Sequence, residues 1–211
     1  MSIGILAYGS LITNPGEEIF KVTQKVIENV ETPFCVEYAR KSRTRNGAPT
    51  LVPVPCELGG KVKGVIFVLN ENVDEQSAMD MLYRREIHEV GTDKGYNAQS
   101  PGVIRIKFVK NFMGVDKVFY TDIEPNFQEI LNPSLSPQQK AALLAEAAIN
   151  SLNQKTYSAG TDGISYLHDN IQNRIMTPLT DLYCKEILRR ANNARDLTAA
   201  RAYFASQKGL A

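Results

Sequence analysis

The sequence predicts an α+β fold, and three observations carry that prediction. Short apolar runs bounded by Gly, Pro or Asn recur between residues 2 and 121, as strands do. From Ser136 onward the segments are built of strong helix formers instead. Strands with a few helices, followed by helices alone, is the order of an α+β chain and not of a regular βαβ repeat. The division falls into a strand-rich part, 1–135, and a helical region, 136–211, packed on the same domain. With 211 residues the chain can bury a substantial core.

Taken in order, residues 2–8 (SIGILAY) read as a short buried strand broken by Gly9-Ser10. A helix is expected from Pro15: Asn14 can cap it, Pro15 suits its first position, and Glu17 and Glu18 favour its first turn. Ile19, Phe20, Thr23, Val26, Ile27 and Val30 recur at helical spacing, which predicts one core-facing side. Segments 33–39, 50–55 and 62–69 read as strands, the middle one short or at an edge because Pro49, Pro53 and Pro55 punctuate it. A helix over 73–89 and strands over 102–109 and 115–121 follow. The run after Ser136 is a capped helix, and two or three more fill 163–208, one of them starting near Pro178.

Composition excludes several function classes. Twenty-four basic residues against 23 acidic ones leave a net charge of +1, which gives no reason to expect a nucleic-acid or membrane partner. No segment approaches the ~18 uninterrupted apolar residues of a spanning helix. The N-terminal run lacks the basic flank of a signal peptide. Cys35, Cys56 and Cys184 are odd in number and widely spaced, so no disulfide framework is expected and the cytoplasm is the expected compartment. His88 and His168 stand far apart without a zinc pattern, so no metal and no organic cofactor is expected.

The helix over 73–89 holds the most informative residue. Met79, Leu82, Tyr83 and Val90 share one helical face, and at 100° per residue Glu86 falls near the centre of it. A carboxylate aimed at a core needs a partner, a proton or a cavity. Pairing with Arg84 or Arg85 satisfies that need structurally; a pocket carboxylate ready for proton transfer satisfies it functionally. Spacing leaves both open. The turn Tyr8-Gly9-Ser10-Leu11 ends a strand and leads into a helix, where free N–H groups can hold an anion or simply complete a turn. Arg40, Lys41, Arg43 and Arg45 form a basic run, a solvated edge or a carboxylate-binding arginine; if extended, Arg43 and Arg45 point alike.

Taken together and in order, these pieces resemble the γ-glutamylcyclotransferase superfamily, and its ChaC-like branch most closely. The turn Tyr8-Gly9-Ser10-Leu11 is similar to that family's YGSL signature. Tyr38-Ala39-Arg40, Ser42, Arg45-Asn46-Gly47 and Pro49-Thr50 resemble its Arg, Ser and RGTP pattern, and Val62-Lys63-Gly64-Val65 its VxGVxY strand. Leu82-Tyr83-Arg84-Arg85-Glu86 resembles its LDxRE, whose glutamate is catalytic, and Gly160 to Leu167 its G-SG-N-EYL segment. Ile87 to Val90 stand where relatives carry a glycine pair and an aromatic, Tyr96 coming later.

The resemblance implies a small β-barrel with packed helices and a helical C-terminal extension. It implies an enzyme that cyclises a γ-glutamyl group to 5-oxoproline and releases the attached amine, amino acid or peptide. Glu86 would be the general acid/base. Tyr8, Gly9, Ser10, Leu11, Arg40, Arg45 and Tyr96 would bind the small γ-glutamyl substrate. Two alternatives stand beside it: a γ-glutamylamine cyclotransferase acting on a different amine, and a non-catalytic binding module or scaffold on the same fold.

Overall fold

The structure, a computed structural model, describes residues 1–99 and 102–210. Its strands in chain order are β1 (Ile3–Ala7), β2 (Thr23–Glu31), β3 (Cys35–Ser42), β4 (Ala48–Val54), β5 (Lys63–Leu69), β6 (Ile104–Phe112) and β7 (Val115–Ile123). Its helices are α1 (Ser10–Thr13), α2 (Glu17–Val22), α3 (Glu75–Glu86), α4 (Gln128–Leu131), α5 (Pro137–Ser151), α6 (Gln154–Ala159), α7 (Gly163–Gln172), α8 (Thr180–Arg190) and α9 (Leu197–Gln207). Two compact units divide the chain: Met1–Thr32 with Lys63–Glu124, and Pro33–Val62 with the chain from Pro125 onward. The hairpin β3–β4 is thus grouped with the C-terminal helices, a different division from a single boundary after residue 135.

The first unit is one mixed sheet in the order β2-β5-β1-β7-β6. β1, wholly buried, sits at its centre, antiparallel to β5 and parallel to β7. Among the described residues the sheet is open, with β2 and β6 at its two ends, and the expected small barrel is not shown. Helix α3 packs Ala78, Met81 and Leu82 against Ile3, Ile5, Ala7, Phe67 and Phe119 of the strands, with Leu11 and Ile19 completing this core. Asp74 caps the helix by accepting a hydrogen bond from the Ser77 N–H at 2.7 Å.

β5 can lie close to β1 because Gly64 has no side chain: a Cβ there would stand 2.5 Å from the Ala7 carbonyl oxygen. Gly64→Ala is therefore expected to lower stability by about 2 kcal/mol through forced separation of the two strands. Chemical denaturation of the variant beside the wild type checks this; equal midpoints would contradict it.

The helix expected from Pro15 to Val30 forms only over Glu17–Val22, and from Thr23 the chain becomes strand β2. β2 is an edge strand on β5 with register shifts between Thr23 and Lys25 and between Ile27 and Val30. Asn29 has φ 57 within the second shift. These bulges break the alternation of two that would have marked a strand, and the residual spacing imitates a helix. The predicted apolar residues do not form one core face: Ile19 and Val30 are buried, but Phe20 is 72% exposed and Val26 43%.

In the second unit β3 and β4 form an antiparallel hairpin whose turn spans residues 43–47, with Asn46 and Gly47 at positive φ. The basic run is therefore not extended beyond Ser42. Arg43 is exposed and Arg45 half-buried. Helices α5 and α7 pack on β4, α8 on α5, and α9 on α7 and α8. Ser136 and Gln139 form a reciprocal capping box at the start of α5, and Pro137 takes its first position.

Cys35 and Cys56 form a disulfide, contrary to the expectation from cysteine parity. The hairpin register sets Cys35 opposite Val54, which brings Cys56, two residues further on, to a Cα–Cα distance of 5.0 Å. Cys184 is the free cysteine. The bond removes the cysteine count as a reason to assign a reducing compartment. Cys56→Ser is expected to lower the stability of this unit by about 2 kcal/mol, since the bond closes a loop in the unfolded chain. A thermal melt of wild type that is unchanged by reductant would contradict that.

Candidate active site

The turn after β1 is built on Gly9, whose φ of 61° and ψ of −141° lie in a region only glycine enters readily. It swings the chain from β1 into α1. Tyr8 is buried and donates its hydroxyl to the Thr121 carbonyl at 3.0 Å, fixing the turn to β7. Leu11 anchors the other side in the core. Ser10 opens α1, and the N–H groups of such a first turn have no acceptor within the helix.

The end of α3 meets this turn. Arg85 donates Nε to the Asn14 carbonyl at 3.0 Å, Nη2 to Ser10 Oγ at 3.2 Å and Nη1 to Glu86 Oε1 at 3.1 Å. The side chains of Arg85 and Glu86 are 12% and 14% exposed. Gly16, at φ 86, lets the α1–α2 connection pass over the aliphatic stem of Arg85, since a Cβ would stand 3.3 Å from Arg85 Cγ and from a Val90 methyl. Arg84 grips Glu18, with Nε at 3.1 and 2.9 Å from the two carboxylate oxygens and Nη1 on the Lys94 carbonyl at 2.9 Å. Glu18 Oε1 also accepts from the Gly91 N–H at 2.6 Å, tying the segment after Glu86 to α2.

The helix stops at Glu86, with His88 turning at φ 60, so the apolar stripe ends there and Val90 is exposed. Its buried residues are Ala78, Met81 and Leu82; Met79 and Tyr83 lie at the margin, and Glu86 with them. The two sequence features, the Tyr8–Leu11 turn and Glu86, therefore share one guanidinium in the first unit. Sequence reasoning missed Glu18 and Asn14 as parts of this cluster. A glutamate in a first helical turn and an asparagine before it read as capping residues, and their long-range partners leave no local signal.

Tyr96 is also in this unit, and it is a support for α3. Its N–H donates to Asp80 Oδ1 at 2.7 Å, its hydroxyl accepts from the Ile106 N–H at 2.9 Å, and its ring lies 5.6 Å from that of Tyr83. Arg40 and Arg45 belong to the second unit. The Arg40 carbonyl accepts from Thr50 Oγ1 across the hairpin at 3.2 Å. The Arg45 guanidinium lies 4.9 Å over the Tyr166 ring and 3.4 Å from the Thr161 carbonyl. Among the described residues no three His, Cys, Asp or Glu side chains gather as a metal site would require. No helix among them is long and apolar enough to cross a membrane.

The second unit also holds a buried carboxyl that the sequence did not mark. Glu37, on β3, is fully buried and accepts from the Tyr38 N–H at 2.8 Å, Thr177 Oγ1 at 2.7 Å and the Leu179 N–H at 3.3 Å. Burial pushes its pKa up to about 7, against the pull of these hydrogen bonds and of Lys140. It ties β3 to the connection between α7 and α8.

No family model matches the sequence, and no curated protein matches it. Among solved structures, the chain is similar to the crystal structure of a glutathione-specific γ-glutamyl cyclotransferase from yeast. The two are 14% identical with a TM-score of 0.44, the alignment covering 99% of this chain and 100% of that one. A likeness at that level leaves activity and residue roles to be argued from the site itself.

Proposed function

We propose that this chain is an enzyme of γ-glutamylcyclotransferase type, with Glu86 as its general acid/base. One observation carries the reading: Ser10 and Glu86, 75 and 1 residues from Arg85 in sequence, are both hydrogen-bonded to its guanidinium. The resemblance of the sequence around both residues to the family's YGSL and LDxRE segments gives that convergence its chemical meaning.

In the proposed reaction the α-amine of a γ-glutamyl group attacks its own γ-carbonyl carbon. A C–N bond forms, the carbonyl becomes a tetrahedral oxyanion, and the bond to the original nitrogen then breaks. The products are 5-oxoproline and a free amine, amino acid or peptide. Because the attack is intramolecular, the protein chiefly has to hold the substrate folded for it. Arg85 engages Oε1 of Glu86 and orients the carboxylate. Oε2 takes the proton from the attacking nitrogen and returns it to the leaving nitrogen. First-turn N–H groups at Ser10 and Leu11, next to Gly9, would stabilise the oxyanion. These roles use residues of the first unit alone.

Incubation with glutathione, γ-glutamyl amino acids and γ-glutamylamines, followed by assay of 5-oxoproline, tests the reading and names the leaving group. Turnover of the γ-glutamylamines alone would select the alternative amine substrate, which the Glu18-anchored segment after Glu86 favours as an altered pocket rim. The Arg85–Glu86 pair also serves a purely structural clasp. That second reading predicts no 5-oxoproline from any of the three substrate classes.

A further inference from the structure

We propose that the second unit carries a binding site for a small zwitterion, a free amino acid or dipeptide, in the cleft formed by α6, α7 and α9. The cleft has a volume of about 330 Å³, in the range of small-molecule sites. None of the residues assigned to the γ-glutamyl chemistry lines it, and the inference stands independently of Glu86.

The cleft is built around an immobilised guanidinium. Arg201, on α9, donates Nε to Asp162 Oδ2 at 2.8 Å and Nη2 to the Tyr157 carbonyl at 2.5 Å, and lies 4.3 Å over the Tyr157 ring. Asp162 is fully buried, its Oδ1 held by the N–H groups of Ile164 and Ser165 at 3.0 Å each. These contacts fix the arginine plane while leaving further N–H donors of the fork to a carboxylate.

The α7 side of the cleft has the opposite character. Ser165 gives its hydroxyl proton to Asp162 Oδ2 at 2.9 Å, so it offers lone pairs to a ligand. Asp169, 61% exposed, adds a carboxylate at the rim, 3.8 Å from the imidazole of His168. A simple anion would meet Asp169, and a simple cation would meet Arg201. A molecule with a carboxylate at one end and an ammonium at the other satisfies both sides. Ile164 and Leu197 give an apolar wall for a short side chain or backbone between them.

Calorimetric titration of the full chain with glycylglycine, N-acetylglycine and glycinamide tests this. The dipeptide is expected to bind saturably, and each singly charged analogue about tenfold more weakly. Asp169→Asn, at an exposed position, should weaken the dipeptide by about tenfold and strengthen N-acetylglycine, whose carboxylate no longer meets a like charge. Arg201→Lys should weaken both carboxylate ligands, read only where its melting curve matches wild type. No saturable heat with the dipeptide at about 10 mM would overturn the site. Equal binding of all three probes, or an Asp169→Asn variant indistinguishable from wild type, would overturn it as well.

Discussion

Glu86→Gln is expected to lower 5-oxoproline formation by about a hundredfold to ten-thousandfold, the range lost with a general acid/base. The substitution is chosen for what it keeps. A glutamine oxygen still accepts from Arg85 Nη1, so the link to Ser10 and Asn14 through that guanidinium survives. What it removes is the capacity to take and return a proton. Folding stability should change by no more than about 1 kcal/mol, because the hydrogen bond from Arg85 is kept. Arg85→Lys separates the roles further. Lysine keeps the charge but cannot reach three acceptors in a plane, so it should reduce kcat through a misaligned Glu86. A purely structural clasp predicts melting lowered in both variants and no 5-oxoproline from wild type or from either of them.

The second large effect is on stability as a function of pH. Glu37 has its pKa raised by burial from 4.5 to about 7. Between those values the unfolded chain has lost this proton while the folded chain still holds it. Raising the pH therefore favours unfolding, and stability falls from about pH 4.5 and levels off above about pH 7. The pKa difference corresponds to roughly 3 kcal/mol across that window. Glu37→Gln should flatten the curve, although its amide N–H₂ meets the Leu179 N–H and lowers stability at every pH. The comparison is of slopes. His88, His168 and the remaining carboxyls are common to both proteins and cancel in the difference. If wild type and variant show parallel melting curves from pH 4.5 to 7, Glu37 is not the titrating group.

Much of the scaffold was legible from residue pattern. β1 and β5 are apolar, short and bounded by Gly or Asn, and α3 and α5 carry capping residues that their structures use. β2 was not legible, because its two register shifts replace the strand alternation with a helix-like spacing. The Cys35–Cys56 bond was not legible either, since it depends on a hairpin register that parity counting ignores.

At the candidate site, Glu86 and the Tyr8–Leu11 turn could be picked out individually, one by its place on a helix face and the other as a strand-to-helix turn. Their connection could not. It runs through Arg85, which in sequence is one of two adjacent arginines with no mark to distinguish them. The structure separates them: Arg84 faces Glu18, and Arg85 faces Ser10 and Asn14. Glu37 and Arg201 were hidden for a similar reason, because their partners are contributed by distant segments.

Following both products of one reaction tests the assignment of Glu86 most directly. Wild-type protein and Glu86→Gln, purified in parallel, are incubated with the γ-glutamyl panel while 5-oxoproline and free amine are quantified together. Wild type is expected to give equal molar amounts of the two products from at least one substrate class, and the variant near-background release. Absence of 5-oxoproline from every class with folded wild type, or equal rates for both proteins, would contradict the assignment.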